Sequence, residues 1–178
     1  MGEENCILCQ IISGKIPSKK IYEDEDALAI LDINGANIGH CFIFPKKHYP
    51  IFEQVPDHEA ANLFKVANAV SSSIFETLKI EGTNIFVSNG VAAGQTVAHF
   101  VINVIPRREG DGINLQWQPK QLNEEEMSTI EIKLKAETEG GHRFEEKKQE
   151  EKPKQVREET EILTGEENYL VKQLRRIP

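Results

Sequence analysis

Between Asp57 and Leu78 the apolar residues Leu63, Val66, Ala67, Val70, Ile74 and Leu78 recur at intervals of three and four. That spacing predicts one long helix with a single apolar stripe, and Asp57 stands where it can cap the start. A helix of this kind has to bury its stripe against another element, and the flanking segments read as strands. "KIYEDEDALAILDIN" predicts two short strands around an acidic turn, and "HCFIFP" a buried strand stopped by Pro45. "NIFVS" and "HFVINVIP" supply two more, separated by the Gly-containing "NGVAAGQTVA". The expected class is α+β: an antiparallel sheet of roughly five strands with the long helix packed on it.

At 178 residues and 39% hydrophobic content the chain can bury one sizeable core and carry an appendage. Charge marks the division. Of 21 basic and 29 acidic side chains, 11 and 15 lie after residue 120, so residues 1–120 are expected to form the domain and 121–178 a charged C-terminal extension. Within the extension, "NEEEMSTIEIKLKAETE" offers a capping box at Asn123 and Glu126, with Leu122, Met127, Ile130 and Leu134 near helical spacing. The alternation of Ile130, Ile132 and Leu134 fits a strand as well. Residues 140–160 have the composition of a linker or mobile arm, and "EENYLVKQLRRI" that of a short helix that must dock on something to be stable. No internal repeat is present.

A net charge of −8 argues against a nucleic-acid polymer or an anionic membrane as partner, because both attract basic faces. A small anionic ligand stays compatible, since backbone amides bind phosphate whatever the net charge. No apolar run approaches the roughly 20 residues of a membrane span, and the start, "MGEENCILCQ", does not resemble a secretory signal. A soluble cytoplasmic protein is expected. Three cysteines do not make a paired disulfide framework, and Cys41 reads as a small core residue.

Three groups of residues carry possible chemistry. Cys6 and Cys9, three positions apart, can grip one side of a tetrahedral metal ion that His48 and His99 complete; the plainer alternative is a buried thiol pair with unrelated histidines. In "NGVAAGQTVAH", Gly90 and Gly94 permit close backbone approach while Gln95 and Thr96 add polar groups, as in a phosphate cradle or merely a turn. Asp32 closes the run "ALAILD", where a carboxylate can bind a ribose diol or simply form a turn, and His40 precedes a buried strand.

Taken in order, "CILCQIISGKIPSKKIYEDEDALAILDINGANIGHCFIFPKKHYP" and "NGVAAGQTVAHFVINVIPR" closely resemble the histidine-triad (HIT) family over roughly residues 4–117. The resemblance implies a HIT-like fold, a purine nucleotide or nucleotide conjugate as ligand, and a symmetric homodimer that joins two five-stranded sheets. It also implies a Zn²⁺ site at Cys6, Cys9, His48 and His99. Active members use His-φ-His-φ-His, φ being apolar, and the middle histidine attacks the α-phosphorus. Here the three positions are His99, Val101 and Asn103. Valine has no lone pair to offer phosphorus, and asparagine does not shuttle protons near neutral pH. The expectation is therefore a nucleotide-binding protein with weak or absent triad catalysis, using Asp32, Asn89, Gly94, Gln95, Thr96 and Asn103 for ligand. Two alternatives remain open: a phosphoanhydride or phosphoramidate hydrolase that uses His40, and a dimeric scaffold whose extension recruits a partner.

Overall fold

A computed structural model of the chain describes residues 3–141. Five strands form one sheet in the order β1-β2-β3-β5-β4, each neighbouring pair antiparallel. They are β1 (Lys20–Glu23), β2 (Ala27–Leu31), β3 (Cys41–Pro45), β4 (Gly82–Val87) and β5 (Ile102–Arg107). Helix α1 (Ile7–Ile12) precedes the sheet, and α2 (Asp57–Leu78) joins β3 to β4. These elements belong to a compact unit that ends at Ile132.

The stripe on α2 does what its spacing requires. Leu63, Val66, Ala67, Val70 and Ile74 are buried in one cluster with Ala27, Ala29, Cys41, Ile43, Ile102 and Val104 from the sheet. Each large apolar side chain so buried contributes about 1.5–3 kcal/mol. On the opposite face Leu28, Ile30 and Phe44 pack with Cys6, Leu8 and Ile11 from the α1 segment. "ALAIL" is apolar throughout because both of its faces are covered, one by α2 and the other by α1.

Two local expectations need correction. Pro56 occupies the cap position of α2 without a side-chain cap, and Asp57 is the first helical residue, where its charge favours the helix N-terminus. The last strand starts at Ile102 and not at His99, because residues 96–101 run as loop, where the Phe100 N–H donates to the Tyr49 carbonyl at 2.6 Å. Beyond the sheet, α3 (Glu124–Gly141) settles the choice between helix and strand for that stretch. Its capping box is formed: the Glu126 N–H donates to Asn123 Oδ1 at 2.9 Å, and the Asn123 N–H to Glu126 Oε2 at 3.0 Å. Most of the expected linker and the C-terminal short helix lie outside the described residues. Among those described, no helix is long and apolar enough to cross a membrane.

Candidate functional site

The two thiols sit on one turn: Cys6 caps α1 and Cys9 lies inside it, three positions on and so on the same side. His48 follows β3 and His99 precedes β5. The ligand atoms of these four residues all lie within 4.8 Å of one another. His99 Nδ1 is 3.5 Å from Cys6 Sγ and 3.7 Å from Cys9 Sγ, Cys9 Sγ is 3.3 Å from His48 Nδ1, and the two Nδ1 atoms are 3.3 Å apart. A tetrahedral ion with bonds of about 2.3 Å to sulfur and about 2.05 Å to nitrogen needs sulfur–nitrogen edges of about 3.5 Å and a nitrogen–nitrogen edge of about 3.3 Å. The residues fit such an ion.

Protonation agrees with that use. His99 is 1% exposed, and its Nε2–H donates to the Pro45 carbonyl at 3.0 Å, which turns the Nδ1 lone pair toward the thiols. Burial lowers its pKa to about 4, so the ring is neutral, as a metal ligand must be. Burial, and then the neighbouring Cys6, push the Cys9 thiol up to about 12. Protein groups alone thus disfavour a thiolate that a coordinated cation would stabilise outright. His48 Nε2 is buried and has no hydrogen-bond partner among the described residues.

Beside this cluster a cleft is lined by Leu8, His40, Phe42, Ser88, Thr96, Val97, Val101 and Asn103, together with Gly94, Gln95 and His99. Its rim is a glycine loop. Gly90 and Gly94 have φ of 87° and 88°, the left-handed region that a side chain disfavours, on either side of a single turn at Val91–Ala93. Several amides of the loop are used internally: the Gly94 N–H donates to Val91 O and the Gln95 N–H to Gly90 O. Thr96 and Val97 keep backbone N–H groups with no hydrogen-bond partner among the described residues.

Two of the expected ligand contacts are committed to the protein itself. Asn89 accepts from the Phe52 N–H at 3.0 Å and donates to Glu53 Oε1 at 2.7 Å, away from the cleft wall that its neighbour Ser88 lines. Gln95 lines the cleft, yet its Oε1 accepts from the Gly90 N–H and its Nε2 donates to the carbonyls of Pro50 and Val97. Asp32 is not part of the wall either. Its Oδ1 accepts from the Asn34 N–H and its Oδ2 lies 3.4 Å from His40 Nδ1. Leu8, Phe42, Ser88 and Val97 also line the wall without having been singled out from the sequence, although Leu8 lies within the "CILC" segment, Val97 within "NGVAAGQTVAH" and Ser88 next to Asn89.

Val101 and Asn103 reach the cleft because alternation sends Ile102 and Val104 to the α2 side. Asn103 Oδ1 is 3.2 Å from His40 Nε2, and the Ala36 N–H donates to His40 Nδ1 at 3.1 Å. An Nδ1 that accepts from Ala36 is unprotonated, so the proton is on Nε2 and donates to Asn103. The 3.4 Å approach of Asp32 to Nδ1 is then not a hydrogen bond. Burial lowers the His40 pKa against the opposing pull of Asn103 and Asp32, which keeps the ring neutral. Behind the histidine, Arg107 grips Asp111 with both Nε (2.6 Å) and a terminal nitrogen (2.9 Å). Asn37 ties this pair to the loop that carries His40. The guanidinium holds the Asp111 carboxyl far below the usual range. This latch has no counterpart among the expectations drawn from the sequence, which stop short of Asp111.

Comparison with known proteins adds to the geometry. A family model described as the HIT domain matches residues 13–110. An uncharacterised HIT-like protein of Methanocaldococcus jannaschii is 48% identical over 107 residues, 60% of this chain and 82% of that protein. An adenylylsulfatase of Arabidopsis thaliana is 38% identical over 120 residues, 67% of this chain and 59% of the relative. Among solved structures, a zinc-bound histidine triad family protein from Mycobacterium smegmatis is similar with a TM-score of 0.61 at 33% identity, covering 79% of this chain and all (100%) of that one. A histidine triad nucleotide-binding protein from Candida albicans gives 0.69 at 28% identity, covering 76% and 98%.

Proposed function

Because the chain belongs to the HIT domain family, matched over residues 13–110, we propose that it is a zinc-clamped purine-nucleotide-binding protein with little or no triad-type hydrolysis. The observation that carries this reading is Val101 in the cleft wall, between His99, whose Nδ1 faces the thiols, and Asn103. No imidazole nitrogen stands at the middle position to attack phosphorus. Zinc is supported by the edges of the Cys6, Cys9, His48 and His99 cluster. A bound ion there would be a structural clamp, since four protein ligands leave no open position for chemistry.

The ligand phosphate would be held by neutral donors. The Thr96 and Val97 N–H groups, the Ser88 and Thr96 hydroxyls and the Asn103 amide are at hand, and the cleft wall contains no lysine or arginine among the described residues. Gly94 shapes the loop, Gln95 and Asn89 brace it, and Asp32 acts on the pocket through the His40 loop. We further propose a homodimer: β4 is an edge strand, and Ile85 on it and Phe64 and Phe75 on α2 are exposed apolar side chains that a second copy would cover. Residues 1–120 would form the dimeric domain, with 121–178 as its extension.

An active hydrolase is the second reading, favoured by the adenylylsulfatase relative. Against it, His40 has both nitrogens engaged within the protein, and so no lone pair is free to activate water. One experiment separates the two. The wild type and the Val101→His, Asn103→His double variant are assayed for nucleoside monophosphate release from an aminoacyl-nucleotide phosphoramidate and a dinucleoside polyphosphate. A silent wild type and an active double variant are expected. Turnover by wild type that persists through further purification and disappears in His40→Ala would reverse the assignment.

A further inference from the structure

Gln95 sits between the two parts of the site. Its Nε2 lies 2.6 Å from the Pro50 carbonyl, 2.9 Å from Val97 O and 3.5 Å from His99 O. Pro50 is two residues beyond His48, and Val97 is two residues before His99. One amide group therefore holds together the two segments that present the two imidazoles. Its two hydrogens face three carbonyls, so all of its donor capacity is used. The other end of the same amide accepts from the Gly90 N–H at 2.8 Å, at the left-handed glycine that opens the loop. Asn89 adds a parallel stitch from the loop to Phe52 and Glu53.

We propose that Gln95 is a positioning residue that couples metal occupancy to the conformation of the glycine loop. An ion that draws His48 and His99 together fixes Pro50 O and Val97 O at the distances that Gln95 spans, and Gln95 passes this order to Gly90. The loop then presents the Thr96 and Val97 N–H groups in one arrangement. Linkage is reciprocal: a loop held in this arrangement also holds the metal more tightly. The inference rests on the metal reading above but not on the identity of any nucleotide.

The test uses the zinc-loaded protein and the Gln95→Met variant, similar in volume but with no hydrogen bonds to give. Zinc loss to a chelator and amide hydrogen exchange of a peptide covering 88–98 are followed, with α2 as internal control and Val91→Ala, an exposed position on the same loop, as reference. Expected in Gln95→Met are zinc loss faster by about fivefold or more and faster exchange across 88–98, with α2 unchanged and Val91→Ala like wild type. Zinc retention equal to wild type overturns the coupling even if the loop loosens, since a merely structural glutamine would produce that pattern. Should Gln95→Met not fold, wild type decides: removing zinc must raise exchange across 88–98 more than across α2, and an unchanged loop overturns the proposal. Wild type that binds no zinc removes the metal reading itself, and the coupling with it.

Discussion

The two faces of the sheet are supplied by the same strands and held by different means. Toward α2, Ile43, Ile102 and Val104 meet Leu63, Val66 and Val70 in a continuous apolar layer, where volume and shape are the only requirements. On the other face the apolar patch around Leu28 and Phe44 gives way to thiols, imidazoles and amides, each needing a particular partner at a particular distance. An apolar face tolerates repacking. A polar one fails when a single partner is removed, because the group left behind stays buried and unpaired.

Four perturbations probe this difference. For the proposed zinc clamp, chelation should have the largest effect, about 4 kcal/mol when free zinc stands a thousandfold above its Kd, read as a fall in Tm that zinc restores and that Cys9→Ser reproduces without rescue. On the α2 face, Leu63→Ala, at a residue 1% exposed, should cost about 3 kcal/mol in urea unfolding while leaving the zinc content unchanged. Loss of zinc in that variant would show that the faces are not independent. Asn103→Leu leaves the His40 Nε2–H without its acceptor and should cost about 1–3 kcal/mol, again at full zinc content. An unaltered unfolding midpoint would mean that the ring is satisfied elsewhere.

The smallest effect concerns pH. Burial sets the folded pKa of His40 below its ordinary value, so below about pH 6.5 the unfolded chain binds more protons than the folded one. Stability is therefore fully present above that pH and declines as pH falls toward the folded pKa. His40→Gln, which keeps polarity without a titrating group, should show a shallower acid slope. Equal slopes in the two proteins would assign the whole decline to other groups.

The elements were legible because their signals are local. The stripe of α2, the strand at "ALAIL" and the Asn123 and Glu126 box depend on periodicity and on neighbours within one turn. That valine and asparagine stand at positions 101 and 103 was legible too, from the order of residues after His99. The roles of Asn89 and Gln95 were not. As residue types they suit a ligand, and only the positions of Phe52, Glu53, Pro50 and Val97 show that their amides are already occupied.

By itself the sequence determined the class of fold, the register of apolar residues and the residue types from which a metal site and a cleft can be made. The tertiary structure decided which of them meet. Cys6 and His99 are 93 positions apart and their side-chain Sγ and Nδ1 atoms 3.5 Å, and the tautomer of His40 is set by Ala36 and Asn103 together. The physical reason is one of range. Helix and strand preferences act between neighbours in the chain, whereas protonation, hydrogen-bond satisfaction and metal geometry depend on neighbours in space, which exist only after the core has closed.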